Sequence, residues 1–269
     1  MKLCRFQPLV LSAALSRSGA ESHPETLLGL IEGTTVREIT GDFFSGWRPG
    51  KRTWPLAETK LLPPSVPSKI VCVGRNYREH ASELGNVVPP EPLIFLKPPS
   101  AVIAPDEPIV MPAISKRVDY EGEIAVVIGR VCSQLGPGDD VKPYIAGFTC
   151  LNDVTARDLQ KTDGQWTRAK GFDTFCPFGP VLETDLDLSA ATLETFLNGT
   201  RKQFGRASEM MFSVDVIIRW ISRVMTLQPG DVIATGTPSG VGPVQAGDVV
   251  EVVVGGVGTL RNTIVAQDA

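Results

Sequence analysis

Hydrophobic residues occur in short runs along most of the chain, and clusters of polar residues, Gly and Pro separate these runs. Short apolar or alternating runs bounded by turn residues are typical of β-strands. The N-terminal residues 1–6 fit a first strand, and the hydrophobic stretches at 26–31 and 36–39 indicate more β structure. Further strands and short extended segments are predicted at residues 70–73, 92–96, 109–111, 120–128, 144–152, 231–235, 248–254 and 259–265.

One longer stretch, residues 212–227, has the periodicity of a helix instead. Its apolar residues recur at helical spacing, with Ser213 near the start and Pro229 beyond the end. A second, short helix after residue 77 would end at Gly85. Strands therefore outnumber helices, and the chain is predicted to be a β-rich α+β protein.

Residues 61–68 divide the chain into two parts. Three prolines in these eight residues restrict the backbone to extended conformations, as expected for a stiff linker. The turn-rich residues before them form a predicted small β domain, so that the N-terminal domain with its linker spans residues 1–66. Residues 67–269 then form the larger domain.

Composition excludes several classes of protein. With 26 Lys and Arg against 30 Asp and Glu, the net charge of −4 argues against a nucleic-acid binder, which needs a basic surface. No apolar run approaches the ~18 residues of a membrane span. Two histidines, His23 and His80, are too few for a site built from several His ligands. Five cysteines without a CxxC pair support neither a zinc site nor a disulfide framework.

The N-terminus loosely resembles a secretory signal peptide, because Lys2 and Arg5 precede an apolar run at residues 8–15. The run is short, contains polar residues and is not followed by a typical cleavage site. The odd number of cysteines also fits reduced thiols. We therefore predict a cytoplasmic protein.

Carboxylates are concentrated where two predicted strands begin or end. Alternate residues of a strand share a face, so Glu121 and Glu123 should project together, and Asp153 ends the apolar run 145–151. Three carboxylates without a nearby His or thiolate suit a hard divalent cation such as Mg²⁺, Mn²⁺ or Ca²⁺. The alternative is an exposed strand edge with ordinary solvated charges.

The short helix after residue 77 carries a possible general base. His80 and Glu83 are three residues apart and lie on the same helical face. A carboxylate beside an imidazole fixes its tautomer and raises its basicity, which suits the activation of water. The alternative is a surface histidine in a charged turn.

Two further segments contain polar residues among small ones. In the first, Gln160 and Lys170 could bind an anionic ligand beside a metal, whereas Arg157 and Asp158 are interpreted as a structural ion pair. In the second, Thr237 follows a glycine and could present its hydroxyl and backbone N–H to a carboxylate. Neither the GK[ST] ending of a phosphate-binding loop nor a GxGxxG motif between strand and helix is present there.

Six segments in this order resemble the fumarylacetoacetate hydrolase family over residues 68–265. They read VGRNYREHASELG, FLKPPS, VDYEGEIAVVIG, LNDVTARDLQ, WTRAKGFDTFCPFGP and GDVIATGTPSGVGP. The resemblance implies a mixed β-sandwich roll of the family's C-terminal type, with a small N-terminal β domain, assembled as a homodimer. The N-terminal 60 residues resemble the small, variable domain of bacterial members.

The resemblance also implies roles for individual residues. A Mg²⁺ or Mn²⁺ ion, or Ca²⁺ in some relatives, is held at the positions of Glu121, Glu123 and Asp153. His80 and Glu83 match a pair on a mobile lid, and Lys170 matches a catalytic lysine. Substrate contacts are expected at Gln160 and Thr237 and, with less defined roles, at Arg75, Asn76 and Tyr77. Lys97 lies in a matching motif without a defined role.

The resemblance implies the substrate class, and the charge pattern indicates how the reaction would proceed. We expect a metal-dependent hydrolase or lyase that cleaves C–C bonds of acylpyruvate-like or 2-oxo dicarboxylate substrates through an enolate, which the cation and Lys170 stabilise. In a hydrolase, His80 would deprotonate water. The alternatives are a 2-hydroxyhepta-2,4-diene-1,7-dioate isomerase or decarboxylase of aromatic catabolism and a non-catalytic metal-binding scaffold. Residue patterns do not choose the oxo acid, the reaction or the metal.

Overall fold

The structure, a computed structural model, describes residues 1–9, 25–83, 85 and 87–267. These residues form a β-rich protein with few helices, which confirms the predicted α+β class. The strands are β1 (Lys2–Pro8), β2 (Leu27–Glu32), β3 (Thr35–Asp42), β4 (Gly46–Pro55), β5 (Thr59–Leu62), β6 (Ile70–Gly74), β7 (Leu93–Lys97), β8 (Val102–Ile103), β9 (Ile109–Met111), β10 (Val118–Tyr120), β11 (Gly122–Ile128), β12 (Ile145–Asn152), β13 (Thr155–Ala156), β14 (Cys176–Glu183), β15 (Thr192–Leu197), β16 (Thr200–Arg206), β17 (Val232–Ala234), β18 (Gly242–Pro243), β19 (Val249–Val254) and β20 (Gly258–Ala266).

The helices lie in the connections between these strands. The α-helices are α1 (Arg78–Glu83), α2 (Arg157–Asp163), α3 (Thr167–Lys170) and α4 (Val214–Val224). Short 3₁₀ turns lie at Leu56–Glu58, Pro99–Ala101, Lys142–Tyr144 and Ala207–Glu209. The predicted long helix is confirmed as α4, and the Ser213 hydroxyl caps it by accepting a hydrogen bond from the backbone N–H of Val216.

One large sheet runs through the molecule in the order β4-β3-β2-β1-β14-β12-β11-β17-β6-β7. A five-stranded sheet has the order β16-β15-β19-β20-β9, and a small sheet the order β13-β10-β18. Every residue of β11 is buried. A strand with both faces covered needs apolar residues on both, which explains the continuous apolar run in its second half. Ile124 of β11, Ile217 of α4 and Val252 of β19 belong to one hydrophobic cluster.

The N-terminal strands are hydrogen-bonded to the rest of the large sheet. Leu3 of β1 pairs with Leu182 of β14, so the sheet continues across the predicted boundary near residue 66. That division of the chain stays a prediction. Residues 10–15 of the apolar N-terminal run, and His23, lie outside the described residues. The described helices include none long and apolar enough to cross a bilayer. All five cysteines are free thiols in buried positions.

The ends of four strands meet at one edge of the large sheet. Strands β11 and β12 are antiparallel with Gly122 opposite Asn152, so the residues just outside this pair, Glu121 and Asp153, become neighbours. The Asp153 N–H donates a 2.8 Å hydrogen bond to the Glu121 carbonyl. Strand β17 runs antiparallel to β11 and parallel to β6, which brings the ends of β17 and β6 to the same edge.

Candidate active site

Three carboxylates converge at this edge. One oxygen from each of Glu121, Glu123 and Asp153 lies within 4.8 Å of the others. All three side chains are buried, so the alternative of an exposed, solvated strand edge is wrong. The structure therefore brings the three predicted metal-binding residues together.

Glu123 is a buried carboxyl group that has no cationic partner among the described residues. Its Oε2 accepts a 2.7 Å hydrogen bond from the Gly236 N–H, and no cationic side chain of the described residues bonds to it. Burial, with the negative charges of Asp153 and Glu121, raises the pKa of Glu123 well above its usual value. An all-oxygen donor set with excess negative charge fits a hard divalent cation, so the residues present suit Mg²⁺, Mn²⁺ or Ca²⁺.

Lys170 lies beside this triad. Helix α3 presents its Nζ, which donates hydrogen bonds to Glu121 Oε2 at 2.8 Å and to Asp153 Oδ2 at 2.6 Å. Burial alone would lower the pKa of Lys170, but the two carboxylates outweigh it and raise the pKa. The ammonium is therefore charged, and it also lies 5.1 Å from the ring centre of Phe95.

A second buried lysine holds Asp153 from the other side. Lys97, at the end of β7, donates to Asp153 Oδ1 at 2.7 Å and to the carbonyl of Val154 at 3.1 Å. The sequence places Lys97 in a family motif without a defined role. The structure shows that it fixes the orientation of the Asp153 carboxylate.

The predicted ion pair between Arg157 and Asp158 is wrong. Asp158 instead accepts hydrogen bonds from the Ser115 hydroxyl and a backbone N–H. The Arg157 guanidinium points into the site, because successive residues at the start of α2 project in different directions. Its Nε donates to Asp119 Oδ2 at 2.9 Å, and its Nη2 pairs with Glu121.

The Arg157 guanidinium also orients Gln160. Nη1 of Arg157 donates a 2.6 Å hydrogen bond to Gln160 Oε1. Because the amide oxygen is thereby engaged, the amide NH₂ group of Gln160 is the part left to donate to a ligand. Gln160 lines the cavity described below, as its predicted role in substrate binding requires.

His80 and Glu83 on α1 form the predicted pair. Nδ1 of His80 lies 3.4 Å from Glu83 Oε2, and the imidazole is buried, so the alternative of a surface histidine is wrong. Burial lowers the pKa of His80, although the negative charges of Glu121 and Glu83 oppose this. The ring is therefore neutral near pH 7, the form that can accept a proton.

These groups surround a cavity of about 390 Å³. The triad, Lys170, His80 and Glu83 all line it, and so do Arg75, Gln160 and Thr237 among the predicted substrate contacts. Its lining residues are Val73, Gly74, Arg75, His80, Glu83, Phe95, Glu121, Glu123, Asp153, Arg157, Gln160, Lys161, Trp166, Lys170 and Thr237.

Two predicted substrate contacts do not line the cavity. The Asn76 amide is used by the backbone, since Nδ2 donates to the carbonyls of Phe212 and Thr235 and Oδ1 accepts from the Phe212 N–H. Tyr77 is buried, and its hydroxyl has no partner among the described residues. Asn76 is therefore a structural residue of the turn after β6.

The hydroxyl of Thr237 is also committed to the protein. It donates a 2.7 Å hydrogen bond to the Gly122 carbonyl and accepts a 2.8 Å bond from Gln203 Nε2. The prediction that this hydroxyl would be offered to a carboxylate is therefore wrong. Thr237 joins the ends of β11 and β17 and contributes to the cavity wall.

Several residues of the site were not predicted. Phe95 and Trp166 line the cavity, Asp119 holds Arg157, and Gln203 holds Thr237. Asp119 shares the alternation of Glu121 and Glu123, which could have indicated a third carboxylate on this face. No local pattern marks the other residues, because they reach the site from distant strands and loops.

Comparison with known proteins matches two families to consecutive parts of the chain. The family described as fumarylacetoacetate (FAA) hydrolase C-terminal matches residues 69–265, and the family described as Rv2993c-like, N-terminal matches residues 22–64. Protein Rv2993c of Mycobacterium tuberculosis is 49% identical over 243 residues, which cover 89% of this chain and 91% of that protein.

Two further relatives carry names that state an activity. The oxaloacetate tautomerase YisK of Bacillus subtilis is 40% identical over 230 residues, which cover 80% of this chain and 76% of that protein. The solved structure of a 2-hydroxyhepta-2,4-diene-1,7-dioate isomerase from Mycobacterium marinum is 43% identical, with a TM-score of 0.86, and the match covers 100% of both chains.

Proposed function

The chain belongs to the fumarylacetoacetate hydrolase family, and we propose that it is a divalent-metal-dependent enzyme that generates the enolate of a 2-oxo acid. One observation carries this proposal: the Lys170 ammonium bonds to Glu121 and Asp153, two of three clustered carboxylates, in the wall of a cavity. A cation bound by the triad, together with Lys170, would provide positive charge where an enolate oxygen develops.

A bound Mg²⁺ or Mn²⁺ ion would polarise the carboxylate and adjacent oxo group of the substrate. Lys170 adds a fixed positive charge that needs no reorganisation during the reaction. The amide NH₂ of Gln160 can donate to the substrate, because Arg157 occupies its oxygen. These groups bind and orient the acid end of the substrate.

Cleavage of a C–C bond is the leading reaction. Glu83 would hold the Nδ1–H of His80, and the other ring nitrogen would take a proton from water. The resulting hydroxide attacks the carbonyl distal to the bound acid. The C–C bond breaks with its electrons moving into the enolate, and a proton returned to carbon completes the product.

Enol–keto conversion is the second candidate. Related proteins named as an oxaloacetate tautomerase and a diene-dioate isomerase favour it. In that reaction the same enolate is reprotonated at a different atom, and no C–C bond breaks. His80 would then move a proton between oxygen and carbon instead of activating water.

Product analysis with two substrates separates these reactions. Purified protein with Mg²⁺ or Mn²⁺ is given an acylpyruvate and, separately, enol-oxaloacetate, and products are identified by NMR. Cleavage of the first supports the hydrolase, and conversion of the second without cleavage supports the tautomerase. Turnover of neither, with either metal, would overturn the proposal and leave a metal-binding scaffold.

A pair of lysine variants gives a matched control. Lys170→Met removes the buried charge at similar length and should abolish turnover, whereas Lys142→Met removes an exposed charge outside the cavity and should not. Equal activity in both variants would contradict the role of Lys170.

We also propose that the protein acts as a homodimer. Strand β7 lies at an end of the large sheet, and its Leu93 and Leu96 side chains are 38% and 47% exposed. Apolar side chains on an edge strand support a covering partner. Light scattering should give twice the chain mass, and a monomer would contradict this proposal.

A further inference from the structure

Two cations that line the cavity, the half-buried Arg75 and the exposed Lys161, remain unused by the mechanism above. We infer that Arg75 and Lys161 form a position for a second carboxylate, so that the enzyme selects 2-oxo dicarboxylates over 2-oxo acids with a neutral distal group. This position belongs to the site of the proposed function and depends on it.

Charge pairing distinguishes these two residues from the other cations of the cavity. Lys170 and Arg157 line the cavity and are both bonded to buried carboxylates. Arg75 and Lys161 line the same cavity, but their side chains have no hydrogen bond or ion pair with any described residue. The cavity therefore presents two cations that are free to bind an anion.

The backbone at Arg75 is held in an unfavourable conformation. Its φ of 61° lies in the left-handed region, which costs energy for residues other than Gly. Such a conformation persists where neighbouring contacts fix it, and it is concentrated at ligand sites. Here the neighbouring contacts are those of Asn76, whose amide bonds on both sides to the backbone of Phe212 and Thr235.

The cavity wall also has an aromatic part. The rings of Phe95 and Trp166 are in edge-to-face contact, with 5.1 Å between their centres. Gly74 makes this possible, because a Cβ there would lie only 2.9 Å from Cζ3 of Trp166. Flat apolar surface of this kind suits the carbon chain of a ligand, and Phe95 already contacts the Lys170 ammonium.

Together these features describe a ligand with two acidic ends. Its oxo-acid end meets the buried carboxylate triad and Lys170, and its carbon chain lies against Phe95 and Trp166. Its second carboxylate meets Arg75 and Lys161, for which a planar Arg fork offers two parallel hydrogen bonds. A substrate with a neutral distal group would leave both cations without a partner.

Paired ligands test this inference without relying on turnover. Calorimetry in the presence of Mg²⁺ compares the Kd of 2-oxoglutarate with that of 2-oxopentanoate, and the Kd of 2-oxoadipate with that of 2-oxohexanoate. The two ligands of each pair differ only at the terminal carbon, which is a carboxylate in the first and a methyl group in the second. In at least one pair, the wild-type protein should bind the dicarboxylate about tenfold or more tightly, as expected for a charge-assisted hydrogen bond.

Variants assign that preference to the two cations. Arg75→Asn keeps a residue that tolerates a positive φ, and Lys161→Gln changes an exposed side chain. Each should reduce the preference severalfold. Arg78→Gln removes a nearby exposed charge that does not line the cavity and should leave the preference unchanged.

Oxalate separates a failure of the second-carboxylate position from a failure of the proposed function. It has no distal group, so its metal-dependent Kd should be the same in the wild-type protein, Arg75→Asn and Lys161→Gln. If oxalate binds but the dicarboxylate preference is absent, or persists in both variants, the second-carboxylate position is wrong. If oxalate does not bind in a metal-dependent way, the proposed function itself fails.

Discussion

Charged side chains buried at the cavity alternate in sign, with one exception. Hydrogen bonds and ion pairs join them in an uninterrupted series. The series begins at the exposed Arg117 and continues through the buried residues Asp119, Arg157, Glu121, Lys170, Asp153 and Lys97. Each buried charge in it is offset by an opposite neighbour, which a low-dielectric interior requires. Glu123 stands outside the series, and a bound cation would complete the balance.

The first prediction concerns Glu123. Glu123→Gln replaces a buried carboxyl group that has no cationic partner, with little change in shape, so the metal-free variant should be at least as stable as the wild-type protein. With Mg²⁺ at one hundred times its Kd, the wild-type protein should gain about 2.7 kcal/mol in free energy of unfolding. The variant should gain much less, as measured by thermal unfolding with and without Mg²⁺.

Glu91→Gln changes an exposed side chain, so it is the matched control and should keep the full gain in free energy of unfolding with Mg²⁺. A stabilisation of Glu123→Gln by Mg²⁺ equal to that of the wild-type protein would remove Glu123 from the metal site.

The second prediction concerns His80. His80→Ala should leave metal affinity nearly intact, because the imidazole is proposed as a base and not as a ligand. The rate of acylpyruvate cleavage should fall about 10²–10⁴-fold, the usual effect of losing a general base. Stopped-flow absorbance for kcat and calorimetry for Mg²⁺ measure the two effects. A variant that cleaves acylpyruvates at the wild-type rate would show that the histidine is structural.

At the scale of residues, the sequence predicts the groups whose spacing is local. Glu121 and Glu123 follow from strand alternation, and His80 with Glu83 from helical spacing. Lys97 and Arg157 could not be assigned their contacts, because the partner carboxylates are 56 and 36 to 38 positions away in the chain. Only the pairing of strands decides which of these side chains meet.

Helix α1 is attached to the glycine-rich loop after β17. The Gly240 N–H donates to Glu83 at 3.1 Å, and the Ser239 hydroxyl donates to Glu79 at 3.4 Å. Gly240 has a φ of +98°, and a Cβ there would lie 2.1 Å from the Lys202 carbonyl, so only glycine fits. Glu83 thus joins His80 to a fixed backbone donor.

The third prediction concerns the mobility of α1. The sequence predicts a mobile lid over residues 78–88, and residues 84 and 86 lie outside the described residues. Few apolar contacts and a short helix make opening easy, so oxalate with Mg²⁺ should slow amide exchange in Arg78–Glu83 about tenfold or more. Hydrogen-exchange mass spectrometry measures this.

Helix α4 serves as the internal control, because it packs in the core away from the cavity, and its exchange should not change. Equal protection of α1 with and without oxalate would argue against a closing lid.

At the scale of elements, many strands of the core were predicted, but β4, β14 and the hairpin β15–β16 were missed. The Asn198-Gly199 pair between these strands has φ values of 51° and 75°, as in a two-residue turn with both central residues left-handed. Asn-Gly between two strands is the strongest short-range indication of such a hairpin, so the sequence did contain it.

The ends of α4 were predicted two to three residues too wide, because residues 212–213 and 225–227 continue the apolar pattern in extended backbone.

For the whole molecule, the order of strands could not be predicted. The sheet places β1 beside β14 and β6 beside β17, pairs that are more than 150 residues apart in the chain. Apolar strand patterns specify that a residue is buried but not which strand it pairs with. The resemblance to a family implied the roll, whereas local patterns implied only its strands.

The last prediction concerns the unity of this fold. Phe6 of β1 is fully buried, contacts the ring of Trp54 with 5.2 Å between ring centres, and shares a cluster with Ile124 and Ile217. Because one sheet and one hydrophobic cluster span the predicted boundary near residue 66, both parts should unfold together. Phe6→Ala should lower the free energy of unfolding by about 3–5 kcal/mol and lower the midpoint of a single thermal transition, with circular dichroism and tryptophan fluorescence changing at the same temperature.

Phe204→Ala changes an exposed side chain and should lower the free energy of unfolding far less. Two transitions, of which Phe6→Ala shifts only one, would show instead that the N-terminal strands unfold independently of the catalytic part.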